Sequence, residues 1–277
     1  MKKRLCWNQR TKTLILLAVA VFYLAGVAVW GLVGRESALV TDFSRKNLTP
    51  SLSYLFGTDW LGRDMLARTV TGLSISIIIG VCAAAVSAVI AGLLGVAAAT
   101  LGKKVDAVIT WLIDLIMGIP HILLLILISF AAGKGLTGVI LGVSLTHWTS
   151  LARVIRAEVL QLKESTYIRT AEKLGHSKWR IAKKHMLPHL IPQFLVGLVL
   201  LFPHAILHEA SITFLGFGLS TEQPAIGVIL SESMKYLVTG KWWLALFPGL
   251  MLVLTVMLFD LLGECLRKLT DPGSVHR

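Results

Sequence analysis

Long apolar runs without a charged side chain, separated by polar segments, leave this chain few ways to fold. The clearest covers residues 75–101, which hold no Asp, Glu, Lys or Arg. A helix of about 20 such residues crosses the hydrocarbon core of a bilayer. Residues 14–33 and 137–152 repeat the pattern, and 105–130, 189–215 and 242–262 do so with one or two carboxylates each. The expected fold is all-α and polytopic, with six transmembrane helices in a single domain over 1–277. Composition agrees: 15% of the residues are charged, against about 25% in a soluble domain.

The basic start, residues 1–13, followed by an apolar run resembles a secretory signal. The run is too long for one, lacks a small-residue cleavage site and is followed by further spans, so it is read as the first transmembrane helix. The second run is rich in Ala and Gly, which lets helix backbones approach closely. The third carries Asp106, Asp114 and Pro120-His121, where proline frees a backbone carbonyl and kinks the helix. The fourth carries His147 and Trp148 and is expected to continue as a helix into the polar segment 153–188. Pro192 and Pro203 are expected to interrupt the fifth, and residues 216–241 to form a loop.

Sidedness follows from the basic residues. With both termini inside, Lys and Arg number nineteen in the inner segments and eight in the outer ones, together the full twenty-seven. That bias follows the positive-inside rule, and it also accounts for the net charge of +12 without nucleic acid. Cys6, Cys82 and Cys265 are far apart with no CxxC pair and are read as free thiols.

Two polar segments stand out. Residues 56–64, Phe-Gly-Thr-Asp-Trp-Leu-Gly-Arg-Asp, read as a tight hydrogen-bonded turn leading into a helix. Asp59 and Asp64 can be viewed as a paired acid site or as anchors of that turn, and the generic spacing favours the anchors. Residues 165–188 are basic and read as two short helices broken at Gly175 and stopped by Pro188.

In this second segment Arg169-Thr170-Ala171, three residues, Gly175 and, nine residues further, His185-Met186-Leu187-Pro188 resemble the cytoplasmic loop of bacterial ABC importer permeases. The family pattern has Glu-Ala where this chain has Arg169-Thr170, and Ile where it has His185. Three further blocks follow the same family in order: Gly57-Thr-Asp-x-x-Gly-Arg-Asp64, Glu209-Ala-Ser-Ile-Thr-Phe-Leu-Gly216 and Trp242-Trp-Leu-Ala-Leu-Phe-Pro-Gly249. They are similar to the second permease subunit of the dipeptide, oligopeptide and nickel importers. The resemblance implies a homologous second permease, two ATPase subunits, an extracytoplasmic substrate-binding protein and a place in the bacterial inner membrane. Ala171, Lys173, Leu174, Gly175, Lys178, Trp179, Arg180, Leu187 and Pro188 become the ATPase-coupling segment; Gly57, Asp59, Gly62, Arg63, Asp64 and Glu209 are family-typical structural positions. No G-x-x-x-x-G-K-[ST] occurs, so ATP and Mg belong to the partners, and the chain itself is expected to bind no cofactor.

For the cargo, His204 and His208 are four residues apart and share a helix face. Neutral imidazoles suit nickel and other late divalent ions. The pair, with His147-Trp148, resembles the nickel-import branch, so nickel, free or chelated, is the first expectation and a di- or oligopeptide the second. Glu209 fits both branches. His121, His185 and His189 show no ligand spacing, and Asp114, Asp260 and Glu264 are expected in interhelical or helix-end bonds. An intramembrane metalloprotease is a remote third reading, since His204-Ala-Ile-Leu-His208 lacks the Glu of H-E-x-x-H.

Overall fold

The computed structural model describes residues 9–270; Cys6 and the tail beyond Thr270 lie outside them. The helices run α1 Gln9–Val33, α2 Met65–Thr100, α3 Lys103–Gly118, α4 His121–Ala131, α5 Gly135–Glu164, α6 Thr166–Lys173, α7 Lys178–Ile181, α8 Leu187–Phe214, α9 Ile226–Leu237 and α10 Trp243–Thr270. Five of them are long and apolar enough to cross a membrane, and α3 with α4 makes a sixth when that bent pair counts as one span.

α2 is the central post, packed on α1, α3, α5, α8, α9 and α10. Its 36 residues make it about 54 Å long at 1.5 Å per residue, well beyond a hydrocarbon core of about 30 Å. It starts ten residues before the expected span because Asp64 caps it, Oδ1 accepting from the Leu66 N–H at 2.8 Å and the Ala67 N–H at 3.5 Å. A capping carboxylate satisfies amides that otherwise have no partner in the first turn.

Small residues bring α2 and α5 together. Ala83, Ala84, Ala88 and Ala91 are buried, and a Cβ on Gly95 would stand 2.8 Å from the Ala152 carbonyl oxygen. At this separation backbone carbonyls come within reach of side chains. Ser87 Oγ donates to the Ser144 carbonyl at 2.9 Å, and Ser144 Oγ donates to the Ala83 carbonyl at 3.3 Å. Without a hydrophobic driving force between helices in lipid, such close packing and hydrogen bonds carry the association.

The expected third span is broken rather than kinked. α3 and α4 meet at 100°. Ile119 is extended (φ −87, ψ 138), as sterics require of a residue before proline, and Pro120 starts α4 by accepting from the Leu124 N–H at 3.1 Å. Neither arm crosses the core alone: α3 has 16 residues and α4 has 11, about 24 and 16 Å. α3 is tied back to α5 by Asp106, which takes a bidentate bond from Arg156 at 2.5 and 2.6 Å, and by Asp114 with Arg153.

α5 runs unbroken from the apolar run into the polar segment, as expected. α8 is unbroken too, against expectation: Pro192 and Pro203 sit inside a continuous helix. Packed neighbours and side chains can satisfy the carbonyls that such prolines free. Pro188 likewise stops nothing. It lies in the first turn of α8, where a missing N–H costs little, and a π-helical turn, Ala182–Met186, joins α7 to α8. The expected loop 216–241 contains α9, whose Ile226, Val228 and Ile229 are buried against α8, α10 and α2.

The turn before α2 separates the two aspartates. Gly62 has φ +77, and a Cβ there would fall 1.8 Å from the Asp42 carbonyl oxygen, so only glycine closes the turn. Gly57 accepts the Met65 N–H at 3.1 Å. Asp59 is fully buried. Its Oδ1 accepts from the Leu61 and Arg63 amides at 2.8 and 2.9 Å, and its Oδ2 from Arg63 Nε at 2.7 Å and Arg68 Nη1 at 2.6 Å. Arg68, also buried, donates to Glu232 of α9 at 3.0 Å, while Trp60 lies under both guanidinium groups and stacks on Tyr236 at 4.7 Å. The anchor reading holds; the two carboxylates serve different bonds. Asp59→Ala breaks a buried ion pair, leaving Arg68 with Glu232 alone, and should cost about 3 kcal/mol, whereas Asp64→Ala removes a cap and should cost about 1 kcal/mol. Denaturation of the two variants in mixed micelles should show that ranking.

Candidate functional site

The bend between α3 and α4 opens a cavity of about 590 Å³ against α5 and α8. Four histidines line it: His121 at the start of α4, His147 on α5, and His204 and His208 on α8. Thr146, Thr149 and Ser150 add hydroxyls, and Ile116, Ile119 and Leu201 complete an apolar wall.

Three of the imidazoles converge. The ring centroids of His121 and His147 are 4.7 Å apart, those of His121 and His208 4.5 Å, and those of His147 and His208 5.0 Å. One ring nitrogen from each falls within 4.8 Å of the others. His204, one turn before His208, lines the same cavity but is exposed and outside this group. The three histidines singled out in the sequence, His147, His204 and His208, thus line one cavity, and His121, which showed no ligand spacing, joins them. That residue has no ligand spacing along the chain; the 100° turn at Pro120 is what swings it in.

His147 is oriented by its own helix. Its Nδ1 lies 3.0 Å from the Val143 carbonyl, which only accepts, so Nδ1 carries the proton and Nε2 keeps its lone pair. Thr146 Oγ1, also 3.0 Å from Nδ1, spends its own proton on the Gly142 carbonyl at 2.9 Å. The neighbouring Trp148 donates to the Leu145 carbonyl at 3.0 Å and is buried.

Glu209 follows His208 but points away from the cavity into the protein. It is fully buried, and Oε1 accepts from Thr213 Oγ1 at 3.0 Å, a hydroxyl that also takes the Leu219 N–H at 3.3 Å. Asp260 and Glu264 lie exposed on α10 and make no bond to another helix among the described residues, contrary to expectation; Asp114 pairs with α5 as expected. His189 is exposed, and His185 stands beside the Tyr167 ring at 6.3 Å.

Residues 165–188 form a compact helical hairpin. Ile168, Ala171 and Ile181 are its buried core, with Met186 packed on them. Gly175 has φ +79 and ends the first helix in the left-handed turn that glycine favours. Ala171 faces into this core, whereas Lys173, Arg180, Leu187 and Pro188 are exposed. Leu174 is 73% and Trp179 76% exposed, two large apolar side chains at the tip. Lys178 begins α7; its side chain is outside the described residues. Arg169, where the family pattern has Glu, pairs with Glu164.

The model of the family described as binding-protein-dependent transport system inner membrane component matches residues 88–274. This chain belongs to that family. It is a subunit of an ABC importer, a multi-pass inner-membrane permease and not an enzyme, and it works with ATPase and substrate-binding partners. It is similar to the dipeptide transport system permease protein DppC of Bacillus subtilis, 32% identical over 96% of this chain and 84% of that one. A putative peptide transport system permease protein of Brucella abortus is 34% identical over 98% of this chain and 90% of its own length. The glutathione transport system permease protein GsiD of Pectobacterium atrosepticum is 31% identical over 96% and 89%. Among solved structures, the inward-facing MetNI methionine ABC transporter shares the permease fold, with a TM-score of 0.62 at 19% identity over 75% of this chain and 98% of that one. These relatives carry peptide names and fit the second cargo expectation better than nickel.

In this permease the buried Glu209 depends on Thr213. Thr213→Val keeps the volume but removes the hydroxyl, and should cost about 1–3 kcal/mol, read as a lower melting temperature of the purified subunit in detergent, while Ser211→Ala, at an exposed hydroxyl, should leave it unchanged.

Proposed function

We propose that this permease forms half of the translocation pathway for nickel, or a similar late divalent ion, carried as a complex with a small amino-acid-like or peptide-like chelator. The carrying observation is the cavity beside the α3–α4 bend, walled by four histidines. Imidazole nitrogens favour late first-row ions over the hard cations that prefer oxygen. Its volume of about 590 Å³ is far more than a bare ion fills and lies in the usual range for a small-molecule site. Relatives named for dipeptides, peptides and glutathione support a cargo of that chemistry. They also favour a second reading, in which the cargo is the di- or oligopeptide without metal.

The remainder of the machine follows from the family frame and the charge pattern. A homologous permease completes the path, and a substrate-binding protein delivers cargo to the outer side. The basic hairpin 165–188 and both termini face the cytoplasm, where two ATPase subunits bind Mg-ATP. The hairpin is short, internally packed, joined to α5 by Ser165 alone and to α8 by the π-helical turn, so a rigid-body movement of an ATPase is transmitted to the cavity wall, giving alternating access.

Cells that depend on this importer should take up radiolabelled nickel, more so with a histidine or peptide chelator present, and His204→Ala/His208→Ala should reduce uptake at least tenfold at normal expression. Uptake of a labelled dipeptide that ignores both metal and the histidine changes would establish the peptide reading instead. For the hairpin, Trp179→Ala should leave folding within about 0.5 kcal/mol, as at any exposed site, yet lower transport-stimulated ATPase activity at least tenfold, since buried Trp anchors dominate interfaces. A wild-type rate in reconstituted complex would remove Trp179 from the coupling surface.

A further inference from the structure

We infer that His121, His147 and His208 together form a three-imidazole site for a late divalent cation, and that an ion held there ties the α3–α4 break to α5 and α8. This rests on the metal-cargo reading above and assigns the residues and the movement.

The first argument is unpartnered ring nitrogens. His121 Nε2 and His147 Nε2 are both buried and have no hydrogen-bond partner. His147 is only 7% exposed. A buried ring nitrogen left without a partner costs free energy, so such atoms call for one. No donor from the cavity wall supplies one, and His208 brings a third ring nitrogen to the same point. An ion uses all three lone pairs at once.

The second argument is preorganisation. A metal-bound histidine normally has its other nitrogen bonded to a carbonyl or carboxylate, which sets the tautomer. His147 already has this arrangement through Val143. The ligand set holds no carboxylate, so it selects nickel, cobalt, copper or zinc over magnesium and calcium. Three protein nitrogens leave a coordination position open for a chelator atom, or for His204 one turn away on the same wall, so the ion is held without being trapped.

The third argument is geometry. The nitrogens are spread over up to 4.8 Å, whereas bonds of about 2.0–2.1 Å in a tetrahedral site place nitrogens about 3.4 Å apart. Binding therefore draws the three helices together. α5 is fixed against α2 and α8 is continuous, but His121 sits directly after the extended Ile119-Pro120 link, which can rotate without breaking a helical bond. The rest of α4 is seated on α5, with Leu125 and Ser129 buried, so its first turn is the part that moves. Occupancy of the site and the position of that turn are then one equilibrium, and a conformation that swings the turn away releases the ion.

The test uses the complete importer in nanodiscs, with cobalt(II) as the optical probe and zinc(II) for exchange measurements. Cobalt should give the intense visible bands of a low-coordinate imidazole complex, displaced by nickel or zinc and not by magnesium. His121→Ala, His147→Ala and His208→Ala should each weaken cobalt binding at least tenfold, and His204→Ala by no more than about threefold. Where an Ala variant fails to assemble, His121→Phe keeps the ring packing and removes the nitrogens. Zinc should slow amide exchange of residues 121–125 at least tenfold in the wild type and not in His147→Ala. Cobalt binding that survives His121→Ala but is lost in His204→Ala overturns this ligand set while leaving a metal cargo standing. Binding by the expected set without slower exchange overturns the tie. Nickel uptake in cells with no cobalt bound to the complex also overturns the site alone; metal-independent dipeptide uptake with no metal bound overturns both the site and the cargo reading.

Discussion

The close approach of α2 and α5 is the contact on which the other helices depend. Alanines and Gly95 remove the side chains that would hold the helices apart, and two serines use the short distance to bond across to carbonyls. In lipid, burial of apolar area contributes little to helix association, so steric fit and these polar bonds decide it. α2 is also the element against which α1, α8, α9 and α10 rest. The cavity is then a consequence: α5 is held on one side, α8 on another, and the broken α3–α4 pair leaves the space between them.

At one end of α2 the structural principle changes from packing to charge. Asp59, Arg63, Arg68 and Glu232 form one connected group with Trp60 and Tyr236 stacked beneath it. Buried charges are tolerable only when paired and hydrogen-bonded, and Asp59 meets this with four donors. The group joins the turn, the start of α2 and α9 beside an apolar cluster in which Met65, Ile229, Trp243 and Leu244 are buried and Phe56 and Trp60 of the turn pack on them. Near the other end, Arg156 with Asp106 and Arg153 with Asp114 hold α3 to α5 in the same manner. The broken span is thus held on α5 in two ways, by ion pairs along α3 and by close packing along α4, where Leu125 and Ser129 are buried.

The hairpin after α5 has a different economy. Its own core is three residues, and two large apolar side chains, Leu174 and Trp179, face outward. A segment so small gains rigidity from its continuity with α5 and, through the π-helical turn, α8. Those are the helices that carry His147, His204 and His208. Movement applied at the tip therefore reaches the cavity through α8 along unbroken helical backbone, and through α5 only across the extended Ser165.

Much of this was legible in the residues. The apolar runs specify membrane helices because hydropathy is summed over neighbouring positions, and the continuation of α5, the turn at 56–64 and the hairpin frame follow from local signals such as Gly175 and Asp64. The i, i+4 spacing of His204 and His208 was enough to put both on one wall. What local signals could not reach was decided by packing. Pro120 breaks its span through 100°, while Pro192 and Pro203 leave α8 continuous, because the effect of a proline depends on whether its surroundings support the freed carbonyls. α9 was hidden because its apolar face has meaning only against α8 and α10. His121 was passed over for the same reason: along the chain it has no partner, and only the turn at Pro120 carries it to His147 and His208. Sequence by itself determined which long runs are apolar enough to enter a bilayer as helices, since that is a property of neighbours; tertiary structure alone decided which distant imidazoles meet, since that depends on how the helices stack.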